Sequence, residues 1–220
     1  MDASPHCIAD RLAALRSQIP GHVTLVAVSK TKPIALLQEA LDAGQLHLGE
    51  NRAQEMAEKA EHFARPDICW HHIGHLQTNK VKLVVPHAHL IHAVDSLKLF
   101  EEIQRRSEAL NTSSDVLLQL HIAQESQKHG FTVAELERVL ESLAKQALQG
   151  IRIRGLMGMA TFTDDERQIA REFQSLRAAF DRWNPGTWDT CSMGMSGDWR
   201  IAVDEGSTLV RIGSAIFGSR

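Results

Sequence analysis

The sequence predicts an α/β protein, a (β/α)8 TIM barrel with an extra N-terminal helix. Two observations carry this expectation. Short apolar, β-branched runs alternate along the chain with amphipathic segments of about ten to eighteen residues, the signature of βα units on a parallel sheet. Eight such strand runs are present, each followed by a helical pattern or the start of one. A third observation sets the domain count: 220 residues without a low-complexity stretch, charge block or Pro/Gly/Ser linker predict one domain spanning 1–220. A doubly wound open sheet is the structural alternative.

The chain opens on a helix in which Ile8, Leu12, Leu15 and Ile19 form one apolar stripe, ended by Pro20-Gly21. Residues 23–29 (VTLVAVS) read as a buried parallel strand, short and continuous. Thr31-Lys32-Pro33 begin the next helix, with proline in the first turn where its missing N–H costs nothing. Ile34, Leu37 and Leu41 mark its buried face, and Gly44 marks its end. A strand at 46–49 leads to a helix over 51–64. A strand at 68–73 leads to a short helix over 77–84 that Pro86 ends. The strand at 90–94 is followed by Ser96, an N-cap for a helix reaching 110. After the strand at 116–123, Thr132-x-x-Glu135 is a capping box for a helix with Leu136, Val139, Leu140 and Leu143, stopped before Gly150. After the strand at 153–160, Thr163-x-x-Glu166 reads as a second capping box, with Ile169, Phe173, Leu176 and Phe180 on one face. A strand at 190–193, a short helix opened by Ser196 or Gly197 and running to 205, a strand at 209–212 and a closing segment at 215–217 complete the pattern.

Composition narrows the function classes. Apolar residues make up 43% and charged residues 23%, with a net charge of −3, as in an ordinary soluble protein. Without a basic excess, nucleic acid is not an expected partner. No run approaches a membrane span, and the N-terminal segment, with Asp2, Arg11 and Arg16, is not a signal peptide. Cys7, Cys69 and Cys191 are odd in number and lack a CxxC pair, so they read as reduced thiols in a cytoplasmic protein.

In a parallel barrel the functional face lies at the C-terminal strand ends. Those ends carry Lys30, Glu50-Asn51, Gly74-His75, Asp95-Ser96, Gln124, Met159-Ala160, Gly194-Met195-Ser196 and Gly213-Ser214. Lys30 closes an apolar strand, where desolvation favours the neutral, nucleophilic amine that condenses with aldehydes. It is open to a second reading, as a lysine snorkelling from the strand or paired with Glu50. Gly194–Asp198 and Arg211–Ser214 follow the seventh and eighth strands, where barrels bind phosphate through small residues and backbone N–H groups. They also read as ordinary glycine turns. Arg211 interrupts an apolar strand and needs a partner there, either a carboxylate such as Asp204 or Glu50, or a ligand nitrogen or anion. His71, His72 and His75 form H-H-x-x-H on a strand rather than the helical zinc pattern, and His87, His89 and His92 flank a loop; no metal is expected.

Eight segments in order, VAVSKTKP (26–33), LGENRAQE (48–55), WHHIGHLQTNK (70–80), AVDS (93–96), the pair Lys128 and Gly130, RGLMGMA (154–160), SMGMS (192–196) and GSTLVRIGSAIFG (206–218), resemble the pyridoxal-phosphate homeostasis protein family, single-domain relatives of alanine racemase. The resemblance implies the fold type III barrel of proteins that carry pyridoxal 5′-phosphate (PLP). It implies that Lys30 holds PLP as a Schiff base and that Asn51 lies beside its ring. It further implies that Met195, Ser196, Gly213 and Ser214 cradle the phosphate and that Arg211 faces the pyridine nitrogen. His72 departs from the family's aromatic and leaves the ring's flank open. Ser214 stands where relatives often have threonine, keeping the hydroxyl.

A cation fixed near the pyridine nitrogen disfavours its protonation and weakens the ring as an electron sink. A two-base racemase also needs a second acid/base group, a tyrosine from another domain in alanine racemase. This sequence has no tyrosine and leaves no length for such a domain after Arg220. The expectation is a monomeric, non-catalytic protein of vitamin B6 homeostasis with no catalytic residues. It would hold PLP and buffer it or deliver it to PLP-dependent apo-enzymes. A racemase-like enzyme is the alternative, and a barrel binding another phosphate ligand is the third class.

Overall fold

The structure is a computed structural model that describes residues 7–124 and 129–218; Lys128, of the lysine–glycine pair, lies outside the described residues. Eight parallel strands follow one another around a closed barrel: β1 (Thr24–Val28), β2 (His47–Glu50), β3 (Cys69–His72), β4 (Ala88–Val94), β5 (Ser114–Gln119), β6 (Ile151–Met157), β7 (Thr190–Ser192) and β8 (Leu209–Ile212). β8 pairs with β1, Val26 opposite Arg211 and Ala27 opposite Ile212, which excludes the open sheet. The helices are α1 (Ile8–Arg16), α2 (Ile34–Asp42), α3 (Ala53–Phe63), α4 (Val81–Val84), α5 (Leu97–Ala109), α6 (Val133–Leu143), α7 (Glu166–Trp183), α8 (Trp199–Asp204) and α9 (Ser214–Phe217). α1 is the extra helix and rests on α2 and α9, with Arg11 donating to the Ile216 carbonyl. No helix among the described residues is long and apolar enough to cross a membrane.

Strand alternation divides the apolar residues into two layers. Val26, Leu90, Ala93, Leu117, Met157 and Leu209 fill the barrel, while a larger cluster, including Leu48, Ile91, Val116, Phe100 and Phe173, packs strands against helices. Glycine lets strands approach where they must. A Cβ on Gly155, at φ 147°, would lie 2.0 Å from the Thr190 carbonyl oxygen on β7.

Several local expectations hold. Ser96 caps α5 by accepting from the Leu99 N–H, and Thr132 with Glu135 forms a complete capping box on α6. Others are corrected. The second capping box is absent: Asp165 is the N-cap of α7, its carboxylate accepting from the Arg167 and Gln168 N–H groups, and Thr163 accepts only from Asp165 N. A charged carboxylate two residues closer to the helix displaces the hydroxyl. α8 starts after Asp198 rather than at Ser196 or Gly197, because Asp198 accepts from Met195 N and holds 195–198 as a turn. The fifth and sixth strands end at Gln119 and Met157; beyond them Leu120 bridges only to Phe131. The helix placed over 77–84 is a 3-10 turn, Thr78–Lys80, running into α4. The fourth strand begins at Ala88, two residues before the expected start, and so takes in His89 as well as His92.

Candidate functional site

Lys30 follows β1 by two residues and is half-buried. The residues on either side of it are pinned by one buried network. Glu50 Oε1, at the end of β2, accepts from Ser29 Oγ at 2.6 Å and from Lys59 Nζ at 2.7 Å. Lys59, on α3, also donates to the Ser29 carbonyl at 2.8 Å and to Glu55 Oε1 at 2.7 Å. Glu55 Oε1 in turn accepts the Thr31 N–H at 2.6 Å. Thr31 is held at φ 61°, a left-handed conformation that a β-branched residue avoids unless its surroundings impose it. Glu50 is thus paired with Lys59, and the reading that set Lys30 against Glu50 does not hold. Burial pushes the Glu50 carboxyl above its usual range, with Lys59 opposing the shift. Lys32 Nζ turns to the other end of the turn and donates to the Phe217 and Gly218 carbonyls at 3.3 and 3.0 Å.

The neighbouring strand ends complete the mouth. Asn51 directly follows β2 and packs under Gly74, where a Cβ would stand 2.3 Å from the Asn51 carbonyl oxygen. Gly213 directly follows β8, and a Cβ there would lie 3.2 Å from the Val28 carbonyl oxygen, so this turn lies against the end of β1. Ser196 Oγ accepts from Gly213 N at 3.2 Å and ties the turns after β7 and β8 together. The first N–H groups of α9 that bond within the turn are those of Ile216 and Phe217, both to Gly213 O; those of Ser214 and Ala215 precede them at the exposed rim. Met195 stands apart at that rim, with its side chain exposed and its N–H donated to Asp198.

Arg211 lies deeper, 4% exposed, on the inner face of β8. Its Nη1 donates to Ser192 Oγ and its Nη2 to the Gly158 carbonyl at 3.1 Å. Among the described residues no carboxylate pairs with it, so neither Asp204 nor Glu50 is its partner. Burial lowers its pKa to about 10, with Asp198 opposing, and the group remains a cation at neutral pH. Neither Ser192 nor Gly158 stood out in the sequence; the signal was a serine at an inward position of the strand facing an arginine strand.

The histidines sort by strand alternation. His71 faces the barrel, so His72 turns outward beside Glu50, its register partner, and does not flank the interior. His72 is buried with both ring nitrogens unpartnered. At the mouth, His75 Nδ1 and His129 Nδ1 lie 2.9 and 3.6 Å from Asp95 Oδ2, with the two rings stacked at 4.0 Å. These three are the described residues whose donor atoms lie close enough to hold a metal, and the shared carboxylate accounts for their approach.

Three kinds of likeness bear on this arrangement. The family described as "Alanine racemase, N-terminal domain" matches residues 4–220. The "Pyridoxal phosphate homeostasis protein" of Escherichia coli (strain K12) is 37% identical, covering 97% of this chain and 97% of its own. Its namesake from Vibrio alginolyticus is 40% identical over 91% of this chain and 88% of its own. Among solved structures, PipY of Synechococcus elongatus PCC7942 with PLP bound superposes with a TM-score of 0.87 at 40% identity, covering 96% of this chain and all of that one. An alanine racemase of Clostridium difficile 630 shares the fold, with a TM-score of 0.77 at 15% identity, and this chain spans 56% of its length. The protein is an eight-stranded parallel barrel of the alanine racemase type. The chain belongs to the alanine racemase N-terminal domain family and, within it, to the pyridoxal phosphate homeostasis proteins.

Proposed function

We propose that the protein binds pyridoxal 5′-phosphate at the barrel mouth and acts in vitamin B6 homeostasis, holding the cofactor and releasing it to PLP-dependent apo-enzymes. One observation carries this reading: Arg211 is a buried cation with no carboxylate partner among the described residues, directly below a mouth formed by Lys30, Asn51 and the joined turns at Ser196 and Gly213. A buried guanidinium with no carboxylate in ion-pair contact fits a ligand that supplies an acceptor. The glycine at 213 fits a cradle, since a Cβ there meets Val28.

In this reading Lys30 Nζ would hold the cofactor through its aldehyde carbon, by a covalent carbon–nitrogen link formed with loss of water. Asn51 would lie beside the ring, Arg211 would donate to the ring nitrogen, and Ser196, Gly213, Ser214 and Met195 would surround the phosphate. When bound, the cofactor supplies a reactive aldehyde and a conjugated ring. Arg211, always a donor, would disfavour protonation of the ring nitrogen and so weaken the ring as an electron sink. That favours storage over turnover. The protein is read as a non-catalytic monomer of the cytoplasm, in keeping with a ring nitrogen left unprotonated and a sequence without the tyrosine that serves alanine racemase as second acid/base group. Lys32 is engaged with the end of α9, which supports Lys30 as the attachment point.

The test is borohydride fixation of the protein incubated with PLP, followed by peptide mapping. The expected adduct is on Lys30, absent in Lys30→Ala. An adduct on Lys32 alone, or none, ends the assignment. Lys30-dependent racemisation of an L-amino acid, read by chiral analysis, would instead establish the enzyme reading.

A further inference from the structure

A continuous hydrogen-bonded path runs down the barrel interior from Arg211, and beyond that residue the cofactor site does not use it. Arg211 Nη1 donates to Ser192 Oγ on β7. Ser192 Oγ lies 3.1 Å from His92 Nδ1 on β4, His92 Nε2 lies 2.9 Å from His71 Nδ1 on β3, and His71 Nε2 lies 2.9 Å from His47 Nδ1 on β2. His71 and His92 are buried, whereas His47 is half-buried and lines a cavity of about 280 Å³ at the opposite, N-terminal pole. There His22, His89, Asp115, Arg154 and Asp189 line the same cavity.

Donor chemistry sets the direction of this path. A guanidinium only donates, so Ser192 Oγ accepts from Arg211, and its own hydrogen finds an acceptor in His92 Nδ1. His92 then carries its hydrogen on Nε2 and donates to His71 Nδ1, and His71 in turn donates from Nε2 to His47 Nδ1. The reverse order leaves the Ser192 hydroxyl hydrogen buried without an acceptor, which folded proteins avoid. We infer that His92, His71 and His47 form a single oriented relay, anchored by Arg211 through Ser192, that couples the protonation of the closed pole to the occupancy of the mouth.

The three are positioning residues, and the coupling follows from their geometry. Burial, with the neighbouring imidazoles acting in the same direction and Arg211 adding to the effect at His92, holds His71 and His92 well below the usual histidine pKa, so both stay neutral. A proton taken up at His47 Nδ1 forces His71 to accept at Nε2 and to move its own hydrogen to Nδ1. His92 must follow, and Ser192 must turn its hydroxyl away. A ring nitrogen accepting from Arg211 draws on the same guanidinium and loosens its hold on Ser192, which eases the reversal. Occupancy of the mouth thus raises the titration midpoint of His47, and by linkage a protonated His47 strengthens occupancy. The coupling rests on the proposed placement of the cofactor nitrogen; the orientation of the relay does not.

The test is long-range 1H–15N correlation on the full chain carrying 15N-histidine, without and with PLP. In ligand-free protein at neutral pH, His71 and His92 are expected to bear hydrogen on Nε2 alone. On loading, followed by absorbance of the bound cofactor, His47 is expected to titrate about half a unit higher, a threefold linkage. Ser192→Ala and His71→Leu are each expected to abolish that shift. Hydrogen on Nδ1 of His71 or His92 in ligand-free protein overturns the relay, as does an unchanged His47 midpoint in loaded protein. Protein that takes up no PLP defeats the mouth assignment instead, while the ligand-free tautomers still decide the relay.

Discussion

His72 carries a penalty that its neighbours avoid. It is fully buried, and neither ring nitrogen has a partner. Burial, aided by His75, pushes its pKa down to about 4 from the usual 6.5. Between those values the unfolded chain binds a proton there that the folded protein does not. Above pH 6.5 this ring is neutral in both states and adds no pH dependence, whereas its proton binding favours the unfolded chain progressively as pH falls from 6.5 toward 4. An apolar ring of similar shape removes the unsatisfied group. His72→Phe is expected to raise the free energy of unfolding by about 1–2 kcal/mol at neutral pH and to flatten its decline on acidification, both measured by urea denaturation at pH 7.5 and 5.5. A loss of stability would show that the ring has a partner in solution. Lys30 sits at the other extreme, half-buried at a strand end. Lys30→Ala is expected to abolish the borohydride-fixed adduct while shifting stability by no more than about 0.5 kcal/mol.

At the scale of elements, α3 does more than cover β2. Through Lys59 and Glu55 it grips Ser29 and Thr31, the two neighbours of Lys30, and so connects a helix face to the geometry of the mouth. Removing the cation strands Glu50, which has 0% exposure and an Oε2 already without a partner. Lys59→Met is expected to cost about 3–5 kcal/mol, as removing one member of a buried ion pair does. Thermal denaturation measures that loss, and a drop below 1 kcal/mol would mean that water enters the pair. The start of α7 offers a cleaner comparison. Asp165→Ala removes a cap that serves two N–H groups and is expected to cost about 1 kcal/mol, whereas Thr163→Ala should cost less than half of that. Equal effects would restore the capping box that the spacing suggested.

For the whole molecule, the buried imidazoles govern the response to acid. His47, His71, His72 and His92 all have folded pKa values below 6.5, with burial as the leading cause. Each contributes stability that is complete above pH 6.5 and lost below it. Glu50 acts in the opposite sense. Its raised pKa contributes stability at low pH that is lost as pH rises through its folded value. Four imidazoles outweigh one carboxyl in the range from 6.5 to 5, so the urea midpoint is expected to fall steadily from pH 7 to pH 5. A flat profile would place these rings in contact with water.

The sequence by itself determined the alternation of strands and helices, the apolar faces, the caps at Ser96 and Thr132, and the location of Lys30, Asn51 and the two glycine turns at strand ends. These are local properties: periodicity and capping are set by residues a few positions apart. It also made the family legible, because eight short segments keep their order. Tertiary structure alone decided what no local pattern encodes. Closure through β8 and β1 rests on register between residues at opposite ends of the chain. The cation that neutralises Glu50 came from a helix rather than from the lysine at the strand end, and Arg211 took a serine and a carbonyl in place of a carboxylate. His71 and His72, adjacent in the chain, point to opposite sides of the barrel wall, one into a hydrogen-bonded path and the other into the layer beneath the helices. In each case partners far apart in sequence compete for one buried polar group, and only the packed barrel shows which of them lies within reach.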